Sequence, residues 1–193
     1  MRTSPRLALS VLLAGALALA AAAAQAVDAQ LLKKCTICHG ERGLSDESAY
    51  PTIAGLPARL QMDALRAYRA GSRDCGPVAR MCKIVVGMSD DQVKELAEHF
   101  AAFPFKPAEQ PFKSELVEKG RLLHEDYCAV CHGVSPTDAE KSILHGQWAD
   151  YLRYALAQYR SGHRKQPPSM RRQTEKLSDQ DIEALVNYYA SYR

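Results

Sequence analysis

Two stretches of the chain carry the same apolar stripe. Val93, Leu96, Ala97 and Phe100 stand at i, i+3, i+4 and i+7, and Ile182, Leu185, Val186 and Tyr189 repeat that spacing 89 residues later. Residues so spaced fall on one side of an α-helix, so both stretches are predicted to be amphipathic helices with one buried face. Ser89 and Ser178 precede them as N-caps, and Gln92, three residues after Ser89, completes a capping box. Further helices are predicted over 56–70, 116–127 and 148–160, and glycines at 71 and 162 stand where helix ends favour them. No window sustains the alternation of a strand, so the expected fold class is all-α.

The repetition extends beyond the stripes. Cys35-Thr36-Ile37-Cys38-His39-Gly40 returns as Cys128-Ala129-Val130-Cys131-His132-Gly133 at an offset of 93. Ala67-Tyr68-Arg69-Ala70-Gly71 matches Gln158-Tyr159-Arg160-Ser161-Gly162 at 91, and Ser89-Asp90-Asp91 matches Ser178-Asp179-Gln180 at 89. The drift places small insertions in the first copy. Two copies imply two similar domains rather than a solenoid. Between them, 104–111 holds three prolines in eight residues, a composition that cannot continue a helix and favours a stiff connector. The expected organisation is therefore domain 1 over 27–103, a linker over 104–113 and domain 2 over 114–193. So short a linker predicts that the halves pack together as a pseudo-two-fold pair.

Residues 1–26 stand apart. Arg2 and Arg6 precede an apolar run from 7 to 24, and Ala24-Gln25-Ala26 has the small-x-small form of a cleavage site. This pattern predicts a secretory signal peptide, removed on export. The other use of such a run is a membrane anchor, against which stand its alanine-rich composition, near-minimal length and cleavage pattern. Cleavage leaves no transmembrane anchor and a periplasmic protein. The formal charge of +3 on the whole 193-residue chain falls to +1 once the two leader arginines are gone. That balance gives no reason to expect nucleic-acid binding. The 47% hydrophobic and 24% charged composition is that of an ordinary globular protein. Each half is nevertheless small for a self-sufficient core, and a large apolar cofactor in each would make up the deficit.

Cys-x-x-Cys-His is the motif that carries chemistry. A lone Cys-x-x-Cys fits a redox disulfide, half a zinc site or haem attachment. Here His39 and His132 follow at once, the contexts are duplicated and the chain is exported. The cysteines then add across haem vinyl groups as thioethers, and the adjacent histidine is the proximal iron ligand. Two covalently bound haem c groups are expected, at Cys35/Cys38 and Cys128/Cys131. A second axial ligand closes the iron, and a methionine sulfur also raises its potential. Domain 2 offers Met170 in Gln166-Pro167-Pro168-Ser169-Met170, where the prolines predict an extended approach to the haem. Domain 1 offers Met62, Met81 and Met88. The offset of 89 carries Met170 back to Met81, whereas Met88 aligns with Leu177 and Met62 falls within a predicted helix. The expected iron ligands are thus His39 and Met81 in one half, His132 and Met170 in the other.

Cys75 and Cys82 remain, flanking Met81. In an oxidising compartment a disulfide bracing the ligand loop is the expected state, with Gly76 and Pro77 supplying a bend. A reactive thiol pair and ligation of iron by Cys82 are the alternatives. His99, His124, His145 and His163 are read as surface or packing residues, with His145 of interest beside Gly146-Gln147-Trp148. Tyr151, Tyr154 and Tyr159 are read as core and interdomain packing.

With these residues placed, the chain resembles the dihaem class I cytochromes c, and its tandem domains resemble cytochrome c4. A narrower resemblance is to the cytochrome subunit of flavocytochrome c sulfide dehydrogenase. It is carried by Pro107-Ala108-Glu109-Gln110-Pro111-Phe112, by Leu123-His124-Glu125-Asp126-Tyr127-Cys128, by Ile143-Leu144-His145-Gly146-Gln147-Trp148 with Tyr151-Leu152, and by Met81 with Ile84, Gly87 and Ser89. Cys75, Cys82 and His145 depart from that subunit's pattern. The resemblance implies two tandem class I cytochrome c domains in a periplasmic protein. That protein would take electrons from an exported flavoprotein dehydrogenase subunit and pass them to a soluble electron carrier. A free shuttle to a terminal oxidase shares the same internal chemistry. A haem enzyme would need an open iron site, which methionine ligation at both haems removes.

Overall fold

The computed structural model describes residues 27–75, 80–133 and 141–193; the leader expected at 1–26 and the bend expected at Gly76-Pro77 lie outside them. Every regular element among the described residues is helical. The first half contains α1 (Ala29–His39), α2 (Ala58–Arg69), α3 (Arg80–Val85) and α4 (Asp90–Ala101). The second contains α5 (Ser114–Tyr127), α6 (Ala129–His132), α7 (Ala149–Arg160), α8 (Pro168–Thr174) and α9 (Asp179–Ala190). The helices over 56–70, 116–127 and 148–160 are present with ends moved by one or two residues.

The caps follow the residue chemistry. Ser89 accepts from the Gln92 amide while the Gln92 side chain accepts from the Ser89 amide, and Ser178 and Asp181 form the same reciprocal pair. Each box satisfies two amide groups that the helix start leaves without partners. Gly71 and Gly162 have φ of 67° and 78°, the left-handed region that ends α2 and α7 cheaply only with glycine.

Two elements differ from the pattern-based expectation. A helix that the pattern did not predict, α1, leads into the first Cys-x-x-Cys-His motif and carries it at its end; Asp28 caps α1 by accepting from the Gln30 and Leu31 amides. In addition, Met81 and Met170 stand in the first turns of α3 and α8 rather than on extended loops. The proline lead-in accounts for the second case. Pro168 at a helix start contributes a preset φ and lacks an amide that would have gone unbonded anyway.

Each half has its own core. Leu31, Val85, Met88, Val93, Leu96 and Phe100 form one cluster; Leu152, Leu177, Ile182, Leu185, Val186, Tyr188 and Tyr189 form the other. The predicted stripes of α4 and α9 face these clusters. In the second half α5 crosses α9 at Gly120, where a Cβ would lie 2.1 Å from the Ala184 carbonyl oxygen. No larger residue permits that approach.

The halves meet through hydrogen bonds to backbone groups, some made by side chains and some by the backbone itself. Gln147 accepts from the Thr52 amide at 2.9 Å and donates to the Thr52 carbonyl at 2.8 Å. Trp148 donates its indole N–H to the Ser45 carbonyl at 3.0 Å, and the Tyr151 amide donates to the Ser48 carbonyl at 3.1 Å. Arg73 and Arg164 pair across the junction as an isolated antiparallel bridge. The proline-rich connector lies against the second half: Ala108 donates to the Gly146 carbonyl, and the Gln110 side chain bonds Gln147 and Ala149.

Candidate haem sites

None of the four motif cysteines is joined in a disulfide, in contrast to Cys75 and Cys82, which are bonded to each other with Cα atoms 5.8 Å apart. In each motif one sulfur faces the core and is largely desolvated. Burial pushes the Cys35 and Cys128 thiols up to about 11. Cys38 is part-buried and Cys131 is exposed, so each pair runs from core to surface. Among the described residues no three His, Cys, Asp or Glu side chains converge as a zinc site requires.

The histidines are held alike. His39 is buried, and its Nδ1 lies 2.9 Å from the Pro51 carbonyl oxygen. His132 places its Nδ1 3.3 Å from the Ser142 carbonyl oxygen, 91 residues further on. A carbonyl only accepts, so in both rings Nδ1 carries the proton and Nε2 keeps its lone pair. Burial lowers both pKa values and maintains the neutral form. A neutral imidazole, fixed in one tautomer by a bond on its far nitrogen, is the donor a metal requires.

The methionines differ in surroundings. Met81 is partly buried and borders the same apolar cluster as Cys35. Met170 is half-buried in α8. Met88 and its counterpart Leu177 are both buried in the cores, and their carbonyls accept from Arg69 and Arg160 respectively. Met62 packs on the first cluster from α2.

At the junction, Arg73 lies over the Tyr68 ring and Arg164 over the Tyr159 ring, each 4.3 Å from the centroid. Burial alone would push the Tyr151 phenol up, but Arg164 and Arg73 together bring it down to about 8. The Tyr154 hydroxyl and Gln158 Oε1 are buried nearby without hydrogen-bond partners among the described residues. A positive, donor-rich junction between two helical halves suits anionic groups, and haem brings two propionates. Cysteine pairs, preset imidazoles and basic junction all fit the cofactor.

Sequence reasoning alone missed the carbonyls of Pro51 and Ser142, the arginine pair and the bonds of Gln147. The arginines were within reach, because the offset of 91 superposes Arg73 on Arg164.

Two helical domains, each with a Cys-x-x-Cys-His turn whose histidine is set in the ligand tautomer, define a c-type cytochrome of the class I type. A family model described as cytochrome c oxidase, cbb3-type, subunit III, matches residues 115–188. The chain is 30% identical to the thiosulfate dehydrogenase electron acceptor of Thiomonas intermedia, over 96% of this chain and 91% of that one. It is also 30% identical to cytochrome c4 of Azotobacter vinelandii, over 80% of this chain and 82% of the relative. Among solved structures, reduced recombinant cytochrome c4 from Pseudomonas stutzeri matches with a TM-score of 0.71 at 27% identity, covering 87% of this chain and 100% of that chain. The chain belongs to the cytochrome c4-like dihaem c-type cytochromes, and its function is electron transfer. Membership implies covalently bound haem c.

Proposed function

We propose that this chain is a periplasmic dihaem electron carrier that accepts electrons from an exported dehydrogenase acting on reduced sulfur compounds. One haem c is held by Cys35, Cys38, His39 and Met81, and the other by Cys128, Cys131, His132 and Met170. Domain 1 spans 27–103, domain 2 spans 114–193, and the leader at 1–26 directs export. The observation that carries the cofactor assignment is the duplicated histidine arrangement, with the same nitrogen bonded to a carbonyl in both halves. Bound haem supplies a one-electron couple at each iron. The chain orients the imidazoles, offers thioether sulfurs, and counters propionate charge with Arg73 and Arg164. Gln147 and its neighbours hold the two halves together, which keeps the exchange distance between them short. Ile37 and Val130, one residue inside each motif, are exposed and give a partner an apolar approach.

The choice of donor rests on the Thiomonas intermedia relative, whose name couples it to thiosulfate oxidation. A sulfide-oxidising flavoprotein is the second donor of this class, supported by the linker and Gln147-Trp148 sequence. A free shuttle to a terminal oxidase is supported by the equal identity to cytochrome c4. No helix among the described residues is long and apolar enough to cross a membrane. Affinity capture of the haem-loaded protein from periplasm, followed by reduction assays with thiosulfate and with sulfide, separates these donors. Co-purification of a dehydrogenase with thiosulfate-dependent reduction supports the first. Sulfide-dependent reduction through a flavin-containing partner supports the second. Absence of any dehydrogenase supports the shuttle.

A further inference from the structure

His124 and Tyr189 form a hydrogen-bonded pair in the core of the second half. His124 is fully buried; its Nε2 lies 2.6 Å from the Gly133 carbonyl oxygen and its Nδ1 2.9 Å from the Tyr189 hydroxyl. The carbonyl can only accept, so Nε2–H donates to it. Burial lowers the His124 pKa, so the ring is neutral and Nδ1 accepts from the phenol. The same phenol lies beside the Cys128 sulfur. One chain of side chains therefore touches both ends of the motif turn, Cys128 at its start and Gly133 at its end.

The first half lacks this chain. The motif offset of 93 superposes His124 on Leu31, and the helix offset of 89 superposes Tyr189 on Phe100. Leu31 and Phe100 are buried in the first core, so the same two places carry an apolar pair there. Both members changed character together. Apolar packing is thus sufficient to fill the space, and the polar pair adds something packing does not: a directed bond to the motif turn, with its donor ring held in place by the phenol.

We propose that His124 and Tyr189 are positioning residues for the second haem, clamping the Cys128–Gly133 turn and thereby the orientation of His132. This rests on haem attachment at Cys128 and Cys131. The clamp makes the second proximal ligand stiffer than the first and sets the second haem's properties apart.

The test uses the full haem-loaded protein and the variants His124→Leu, Tyr189→Phe, the double swap that installs the first half's pair, and His124→Gln. Glutamine can still donate to Gly133 and accept from Tyr189. Intact mass comes first: a wild-type protein without haem on the second motif overturns the haem assignment itself. With both haems present, His124→Leu and Tyr189→Phe are expected to speed amide exchange in the 128–133 turn about fivefold, the factor for one net hydrogen bond. They should also shift the second haem's iron–histidine vibration and midpoint potential while leaving the first haem's in place. His124→Gln should restore the wild-type values, and the double swap should add little to either single change. An unmoved second haem in both His124→Leu and Tyr189→Phe overturns the clamp. So does an equal shift at both haems, or a His124→Gln variant that behaves like leucine. If His124→Leu fails to fold, Tyr189→Phe carries the test alone, since phenylalanine already serves at position 100.

Discussion

The first half of the molecule has a covalent tie near Met81, and the second has hydrogen bonds beneath its motif. In the first, Cys75 and Cys82 close a disulfide around the segment carrying Met81, over a core in which Leu31 and Phe100 supply only packing. In the second, Arg171 stands 89 residues beyond Cys82 and pairs with Glu175, while His124, held by Tyr189, bonds the turn that bears His132. The shared frame is close: capped α4 and α9, arginines at 69 and 160 bonded to the starts of α4 and α9, and histidines held through Nδ1. Duplication preserved what positions an imidazole and diverged in what stiffens the surroundings. Two similar sites can thereby acquire different properties without a change in ligands.

The largest effects should come from the methionines. Met81→Ala is expected to abolish the near-infrared sulfur-to-iron band of one haem and lower its potential, and Met170→Ala to do the same for the other. Met88→Ala should leave both bands while weakening the first core. Loss of a band in Met88→Ala with retention in Met81→Ala would reassign the ligand and break the symmetry of the two sites.

Removal of the disulfide sharpens the contrast. Cys75→Ser with Cys82→Ser should cost about 2–3 kcal/mol of stability through the freed unfolded chain. The first haem should then bind added cyanide or imidazole faster, with the second unchanged, as stopped-flow spectroscopy would report. Equal acceleration at both haems would show that the tie is not local.

Gln147→Ala tests the junction. It removes two buried bonds to Thr52 and should cost about 1–3 kcal/mol, seen as lower-temperature unfolding and partly independent tumbling of the halves by NMR relaxation. Unchanged joint tumbling would place the holding energy elsewhere. The smallest effects belong to the caps. Ser89→Ala and Ser178→Ala should each cost about 1 kcal/mol in chemical denaturation, and nearly the same amount, because the two boxes are built alike.

Much of this was legible in the sequence because the chain states its plan twice. The offsets pair Ser89 with Ser178, Met81 with Met170 and the stripes of α4 with α9, and local rules suffice for caps and faces. The helical state of 29–39 was not legible, since its stripe is short and interrupted by the motif. The first turns of α3 and α8 were hidden for a similar reason: prolines mark both extended chain and helix starts. Gln147 and the His124–Tyr189 pair lay beyond reach because their bonds join residues 95 and 65 positions apart. Which polar side chains meet across such distances is decided by packing, not by pattern. His124 in particular read as an ordinary packing residue until its two ring nitrogens could be followed to their partners.

The central claim is one covalent haem in each half of an exported chain. Intact mass spectrometry of the protein isolated from the periplasm, followed by peptide mapping, tests it most directly. The account predicts a chain lacking its leader and carrying two haem additions, one on the Cys35–Cys38 peptide and one on the Cys128–Cys131 peptide. A single addition, none, or both on one peptide would contradict it.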